Sequence, residues 1–411
     1  MSIRSRFRRP RFESLEGRRC LAVSAALAGS NLLVEGDTSG PVEVRAIDAD
    51  SYQVLESGTE VATVDGVRGH LLVRLGDTDD SITIDLGGQT VRKNAVVDLG
   101  DGNNTLTLTN GNVHGHLVVR GGTGSDDVDI QSDIRIRRHA RVLLEGGDNS
   151  LSFSGDAEQH LFYKGKEGSD VVDILATASV KRHAKIVAGS GDNQISVDGE
   201  IGRHLFVRAD DGNDTVDVLA NADIQWNAVL RMGDGDNQVN LSGDVGRSLT
   251  VIAGLGVDTF AMNDGSSVGR DARLRLGDGD NIVTLDGDIA RSLNLRTRGG
   301  LDTVTINATA NIGRDARLVL GDGDNNLTVA GDVGRDLRIF AGSGVDTITT
   351  TADSRIGRRL IAKLGAGDDV FTHGGSVSWK LIVFGGLGND SFIDAGGSPS
   401  DPVLKSVETV A

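Results

Sequence analysis

Along most of this chain, short stretches in which apolar and polar residues alternate are separated by clusters of Gly, Asp and Asn. Ile312-Gly313-Arg314-Asp315-Ala316-Arg317-Leu318-Val319-Leu320 mostly alternates, Gly321-Asp322-Gly323-Asp324-Asn325 turns, and Asn326-Leu327-Thr328-Val329-Ala330-Gly331 alternates again. A period of two with Gly and Asp punctuation predicts strands joined by tight turns.

The punctuation itself repeats. GDGDN starts at Gly233, Gly277 and Gly321, 44 residues apart each time, and Asp170, Asp214, Asp258, Asp302, Asp346 and Asp390 step by the same 44. The two series interleave into 15 copies of one site: Asp80, Asn104, Asp126, Asn149, Asp170, Asn193, Asp214, Asn237, Asp258, Asn281, Asp302, Asn325, Asp346, Asp369 and Asp390. Spacings are 24 and 22 at first, then alternately 23 and 21. A half-repeat near 22 residues is about the length of one rung of a parallel β-solenoid, in which each rung buries its side chains against its neighbours. The expected fold is all-β, a single-stranded parallel β-helix of about 15 rungs. At roughly 4.8 Å per rung the rod is on the order of 70 Å long.

One column of apolar residues supports the stack. Leu71, Ala95, Leu117, Ala140, Leu161, Ala184, Leu205 and Ala228 begin a series that continues to Leu381, with Leu and Ala alternating through most of it. Large and small side chains can then interdigitate between rungs. The organisation expected is an export segment over 1–28, an N-terminal β cap over 29–66, the solenoid over 67–393 and a C-terminal tail over 394–411 without repeat character.

Composition narrows the class. Glycine, at 57 of 411 residues, has no Gly-X-Y period and only 4 Pro accompany it, which excludes collagen. A net charge of −17 disfavours a nucleic-acid partner and favours cations. No apolar run is long enough for a spanning helix. With 1 Cys there is no disulfide framework.

Residues 1–28 are arginine-rich and end in a short apolar run and the triplet Ala26-Leu27-Ala28, the pattern of a secretory signal with the mature chain beginning near Gly29. Its removal takes 7 Arg and 2 Glu, leaving 35 basic against 57 acidic residues, or −22. Within it, Leu15, Glu16, Arg18 and Leu21 resemble the LEPR-XLL motif of large exported planctomycete proteins, with Gly17 and Cys20 departing from it. That resemblance implies a secreted or cell-surface location and no particular activity.

The turn edge offers a metal chemistry. Gly385-Gly386-Leu387-Gly388-Asn389-Asp390-Ser391-Phe392-Ile393 and Gly121-Gly122-Thr123-Gly124-Ser125-Asp126-Asp127-Val128-Asp129 fit GGxGxDxUx, so this edge resembles degenerate RTX (hemolysin-type) nonapeptide repeats. The resemblance implies Ca²⁺ held by the motif Asp and backbone carbonyls. The candidate ligands are Asp126, Asp258, Asp278, Asp280, Asp302, Asp322, Asp324, Asp346, Asp368, Asp369 and Asp390. The alternative is an Asx-turn ladder without metal, in which a neutral Asn on every second rung relieves repulsion between stacked carboxylates.

Two other columns carry chemistry of their own. Arg138, Arg182, Arg203, Arg247, Arg270, Arg291, Arg314, Arg335 and Arg358 share one repeat position, suited to an anionic polysaccharide or to capping turns and pairing with Asp271, Asp315 and Asp336. His70, His116, His139, His160, His183 and His204 share the next, five of them on successive rungs. Those imidazoles suit a shared transition metal or a neutral stacked ladder, and close stacking should depress their pKa values.

Enzyme signatures are weak: rungs of 21 and 23 residues leave no room for the loop insertions of polysaccharide lyases, and 2 Trp and 2 Tyr make a poor sugar platform. The function expected is an exported, non-enzymatic structural or adhesive β-solenoid of the cell surface or matrix, with calcium as candidate cofactor. Its expected partners are cations, cell-envelope polysaccharide or other surface proteins. The alternative is a polysaccharide-binding or lyase-like protein on the same scaffold.

Overall fold

A computed structural model describes residues 23–38, 40–399 and 402–411. The alternation read from the sequence becomes a solenoid because each rung passes through three sheets and turns one side of every strand inward. In one early rung Thr90–Val91 joins the third sheet, Ala95–Asp98 the first and Thr105–Thr109 the second. Pairing between rungs is parallel and residue for residue, as in Leu71 with Ala95 and Ala95 with Leu117. It continues without a break to Lys380–Leu387 in the first sheet, Ser391–Asp394 in the second and Ser376–Val377 in the third. No helix occurs among the described residues, and none is long and apolar enough to cross a membrane.

The Leu/Ala column lies inside, with Leu205, Ala228, Leu249 and Ala272 at 0–2% exposure. Strands of the third sheet are mostly two residues long and each sends one Val, Ile or Ala inward, such as Ile224, Val245 and Val268. One buried cluster runs from Val23 to Phe392. Because each rung contacts only its neighbours, this core is a stack of thin layers rather than a sphere.

Between the first and second sheets the chain turns through a glycine two places before each ladder residue from Asn104 on. Gly191 and Gly212 have φ of 118° and 143°, a region that favours glycine. A Cβ on Gly212 would also stand 2.2 Å from the carbonyl oxygen of Gly191 one rung earlier.

Both ends differ from the expected boundaries. Ser24–Ala28, inside the segment assigned to export, pairs antiparallel with Asn31–Glu35, which in turn lies parallel to Leu71–Arg74. The described fold therefore takes in residues up to six places before Gly29, Val23 being part of the buried core. The rest of that segment, including the Leu15–Leu21 motif, lies outside the described residues. The expected cap is made of hairpins: Val42–Ala46 pairs antiparallel with Tyr52–Glu56, and that strand with Thr59–Val64. At the other end, Val403–Lys405 pairs with Ile382–Phe384 and Thr409–Val410 with Ser391–Phe392. The tail thus forms a last partial rung. It covers the open sheet edge with its backbone groups, while Glu408 Oε2 accepts the Asp390 N–H at 2.8 Å in place of a ladder residue and Leu404 and Val407 pack against the core.

Candidate functional site: the Asp/Asn ladder of the turn edge

All 15 ladder residues point inward and are buried, between 0% and 2% exposed. Their side chains tie each rung to the one before it. Asp170 donates its backbone N–H to Asn193 Oδ1 at 3.0 Å, Asn193 to Asp214 Oδ1 at 3.0 Å, and Asp214 to Asn237 Oδ1 at 3.1 Å. The same bond recurs from Asp80 to Asp390. The ladder satisfies backbone donors that a tight turn would otherwise leave unpaired in the interior.

Asn and Asp have different duties in it. Asn193 Nδ2 donates to the carbonyls of Gly189 at 3.1 Å and Gly191 at 2.8 Å, and to Asp214 Oδ1 at 2.8 Å. Asn237, Asn281 and Asn325 do the same in their rungs. An amide NH₂ thus occupies a nest of three oxygens. From Asp126 to Asp346 each Asp, by contrast, spends Oδ1 on two donors of the preceding Asn, and Oδ2 is buried without a partner, as at Asp126, Asp214, Asp258 and Asp346. Burial pushes the carboxyls of Asp126, Asp170, Asp214, Asp258, Asp346 and Asp369 up to about 6. Asp302 and Asp390 are raised for the same reason.

The residue five places earlier is matched to this division. Before Asp it is small from the third rung on, as in Gly121, Gly165, Ala209, Ala253, Thr297, Ala341 and Gly385, except at Asp369, which stands where alternation calls for Asn and has the large Leu364 before it. Before Asn it is mostly large, as in Leu99, Leu144, Met232, Leu276 and Leu320, with Ala188 the exception. A Cβ on Gly121 or Gly165 would come within 1.8 or 1.9 Å of the unpartnered Oδ2 of Asp126 or Asp170. The small residues therefore leave room for an oxygen that nothing bonds. Sequence reasoning did not single out these positions, although the alternation is visible once the chain is aligned on the ladder.

The proposed calcium ligands fall into two sets. Asp126, Asp258, Asp302, Asp346, Asp369 and Asp390 are in the buried ladder. Asp278, Asp280, Asp322, Asp324 and Asp368 stand outside it on the turn surface. There Asp280, Asp322, Asp324 and Asp368 accept backbone N–H groups of Leu301, Ser343, Val345 and Asn389, a second ladder on solvent. Asp278 lies 4.0 Å from Arg298. Among the described residues no three His, Cys, Asp or Glu side chains converge as a metal set. From Asp80 to Asp346 the oxygen nests already hold an amide, so this stretch does not fit a calcium ion at every rung.

The histidine column is a stack. His116, His139, His160, His183 and His204 lie with successive ring centroids 4.9 Å apart and planes within 28° of parallel. Stacked rings present faces, not nitrogen lone pairs, to one another, which suits the neutral ladder better than a shared metal. Burial first, then nearby Arg residues and neighbouring imidazoles, lowers these pKa values, His139 to about 4. Along the arginine column Arg203 and Arg247 bracket Trp226, at 5.4 and 4.1 Å from its ring. Asp336 pairs with Arg338 and Arg359 at 2.8 and 2.7 Å.

No family model matches the chain, and no curated protein matches it. Among solved structures it is similar to a hyperactive, Ca²⁺-dependent, β-helical antifreeze protein from an Antarctic bacterium, at 14% identity and a TM-score of 0.35, over 77% of this chain and 82% of that one.

Proposed function

We propose that the protein is a non-enzymatic structural rod, exported to the cell surface or matrix, where its long faces serve adhesion. One observation carries this reading: parallel pairing runs from Leu71 to Phe392 with no inserted loop, interrupted only by one-residue register shifts in the first sheet such as those at Gly189, Gly233 and Gly321. A stack that spends its buried polar residues on tying rung to rung is built to be stiff along its axis. Small-angle scattering of the purified chain tests it. A rod with a long axis on the order of 70 Å is expected, and a globular profile would remove the reading.

Calcium is a second reading, favoured by one break in the ladder. Asp369 stands where alternation calls for Asn, so Asp346, Asp369 and Asp390 adjoin, each with a buried Oδ2 that lacks a partner. A divalent cation there would neutralise carboxylates that the amide elsewhere makes unnecessary. Ca²⁺ should then raise the melting temperature, because a ligand that binds only the folded state stabilises it. Identical melts in calcium and in chelator would eliminate this reading and leave the rod intact.

A further inference from the structure

The outward positions of the first sheet are cationic on a chain whose net charge is −17. From Ala140–Leu143 to Leu293–Arg296, one outward row carries Arg141, Lys185 and Arg273. The next carries Lys164, Arg208, Arg231, Arg275 and Arg296. Neither row holds a carboxylate over this span. Acids come in only at the margins: Asp210 pairs with Arg208 at 2.9 Å, and Asp234 and Asp271 edge two depressions.

The same face is grooved. Depressions of ≈ 480 and 370 Å³ follow one another along it, the first lined by His139, His160, His183 and Phe162, and further on two more of ≈ 240 and 490 Å³ lie side by side across the same three rungs. Eight rungs at about 4.8 Å make this track roughly 34 Å long, while four-residue strands make it about 13 Å wide. Such a strip is narrower than a nucleic-acid duplex. Phe162 and Phe206 are the two aromatic side chains on its outward rows over these eight rungs, too few to stack successive bases of a single strand along the track. Arg predominates, and its planar fork matches carboxylate and sulfate groups.

From this we infer that the first sheet is a docking track for a linear acidic polysaccharide, which lies along the rod axis with its carboxylate or sulfate groups on the two cationic rows. The inference names the partner of the adhesive face and so rests on the rod reading, whose own test by scattering is independent. These residues differ from the arginine column singled out in the sequence, which sits at the corner beside the track.

The experiment is binding of polygalacturonate to the full chain, with neutral dextran of equal length, single-stranded oligo(dT) and self-association by sedimentation run alongside. Polygalacturonate should bind and weaken steeply with salt. The variant combining Arg141→Gln, Lys185→Gln, Arg231→Gln and Arg273→Gln should lose at least tenfold in affinity, while Arg135→Gln with Arg355→Gln on the third sheet should lose less than twofold. Both variants should melt as the parent does. Equal binding to dextran, tighter binding to oligo(dT), association of copies that excludes polygalacturonate, or a first variant as good as the second would each overturn the inference.

Discussion

Asp346 donates its backbone N–H to Asp369 Oδ1 at 2.8 Å, joining two acidic rungs, whereas each such contact from Asp80 to Asp346 joins an acid to an amide. Burial, with the charges of Asp346 and Asp390 adding to it, pushes Asp369 up to about 6. Asp369→Asn supplies an amide donor and removes a buried charge. In chelator at pH 7 it should stabilise by about 1–3 kcal/mol, which is a rise of a few degrees in Tm. Calorimetry decides it, and an unchanged or lower Tm would show that this rung is not short of a donor.

The opposite change belongs in mid-ladder. Asn193→Asp exchanges three donated hydrogen bonds for a carboxylate between Asp170 and Asp214. The loss expected at pH 7 is about 3 kcal/mol or more, since an uncompensated buried charge is costly. At pH 5, where these carboxyls take up protons, part of it should return. Urea midpoints at the two pH values measure this, and an equal loss at both would mean that charge plays no part.

Acid should affect the two halves of the rod differently. From Asp126 on, the ladder Asp have folded pKa values raised by burial above the ordinary carboxyl value. Their contribution is therefore full below about 3.9 and lost as pH rises through about 6. The histidines are lowered, so theirs is present above about 6.5 and lost as pH falls toward the folded values. Residues 113–210 hold both sets, and those beyond hold the ladder acids without the stack. Between about pH 7.5 and 5.5, hydrogen exchange corrected for intrinsic rates should show protection rising beyond residue 214 and rising less, or falling, across the stack. Identical changes in the two regions would exclude a role for the imidazoles.

Much of this was legible because a ladder residue cannot drift. Its side chain must reach one backbone N–H in the preceding rung, so Asp126 and Asp390 keep their phase over the whole stack, and the inward Leu and Ala keep theirs. The cationic track escaped sequence reading for the converse reason. Outward positions such as Phe162, Lys185, Phe206 and Val229 carry no common identity from rung to rung, so only the face they share reveals them. Val403–Lys405 was missed because the tail breaks the repeat spacing and closes the ladder with Glu408 rather than Asp or Asn. The candidate metal ligands could be located but not sorted, since GDGDN does not say which Asp turns inward.

Gly165 tests whether the space beside an unpartnered Asp oxygen matters. Its added Cβ would lie 1.9 Å from Asp170 Oδ2 and 2.5 Å from the Ala188 carbonyl oxygen, so either the carboxylate or the next rung must move. Gly146, on the turn surface, would meet nothing within 4 Å. Alanine restricts the unfolded chain equally at both places, which favours folding by about 0.4–1 kcal/mol where the native site accepts it. Gly146→Ala should therefore be neutral or slightly stabilising, and Gly165→Ala should destabilise by about 1–3 kcal/mol through overpacking. Chemical denaturation of the pair makes the comparison internal. If the two variants unfold together, the small residues opposite the Asp rungs have no packing role, and the alternation of Gly121, Gly165 and Ala209 with Leu144 and Met232 has another cause.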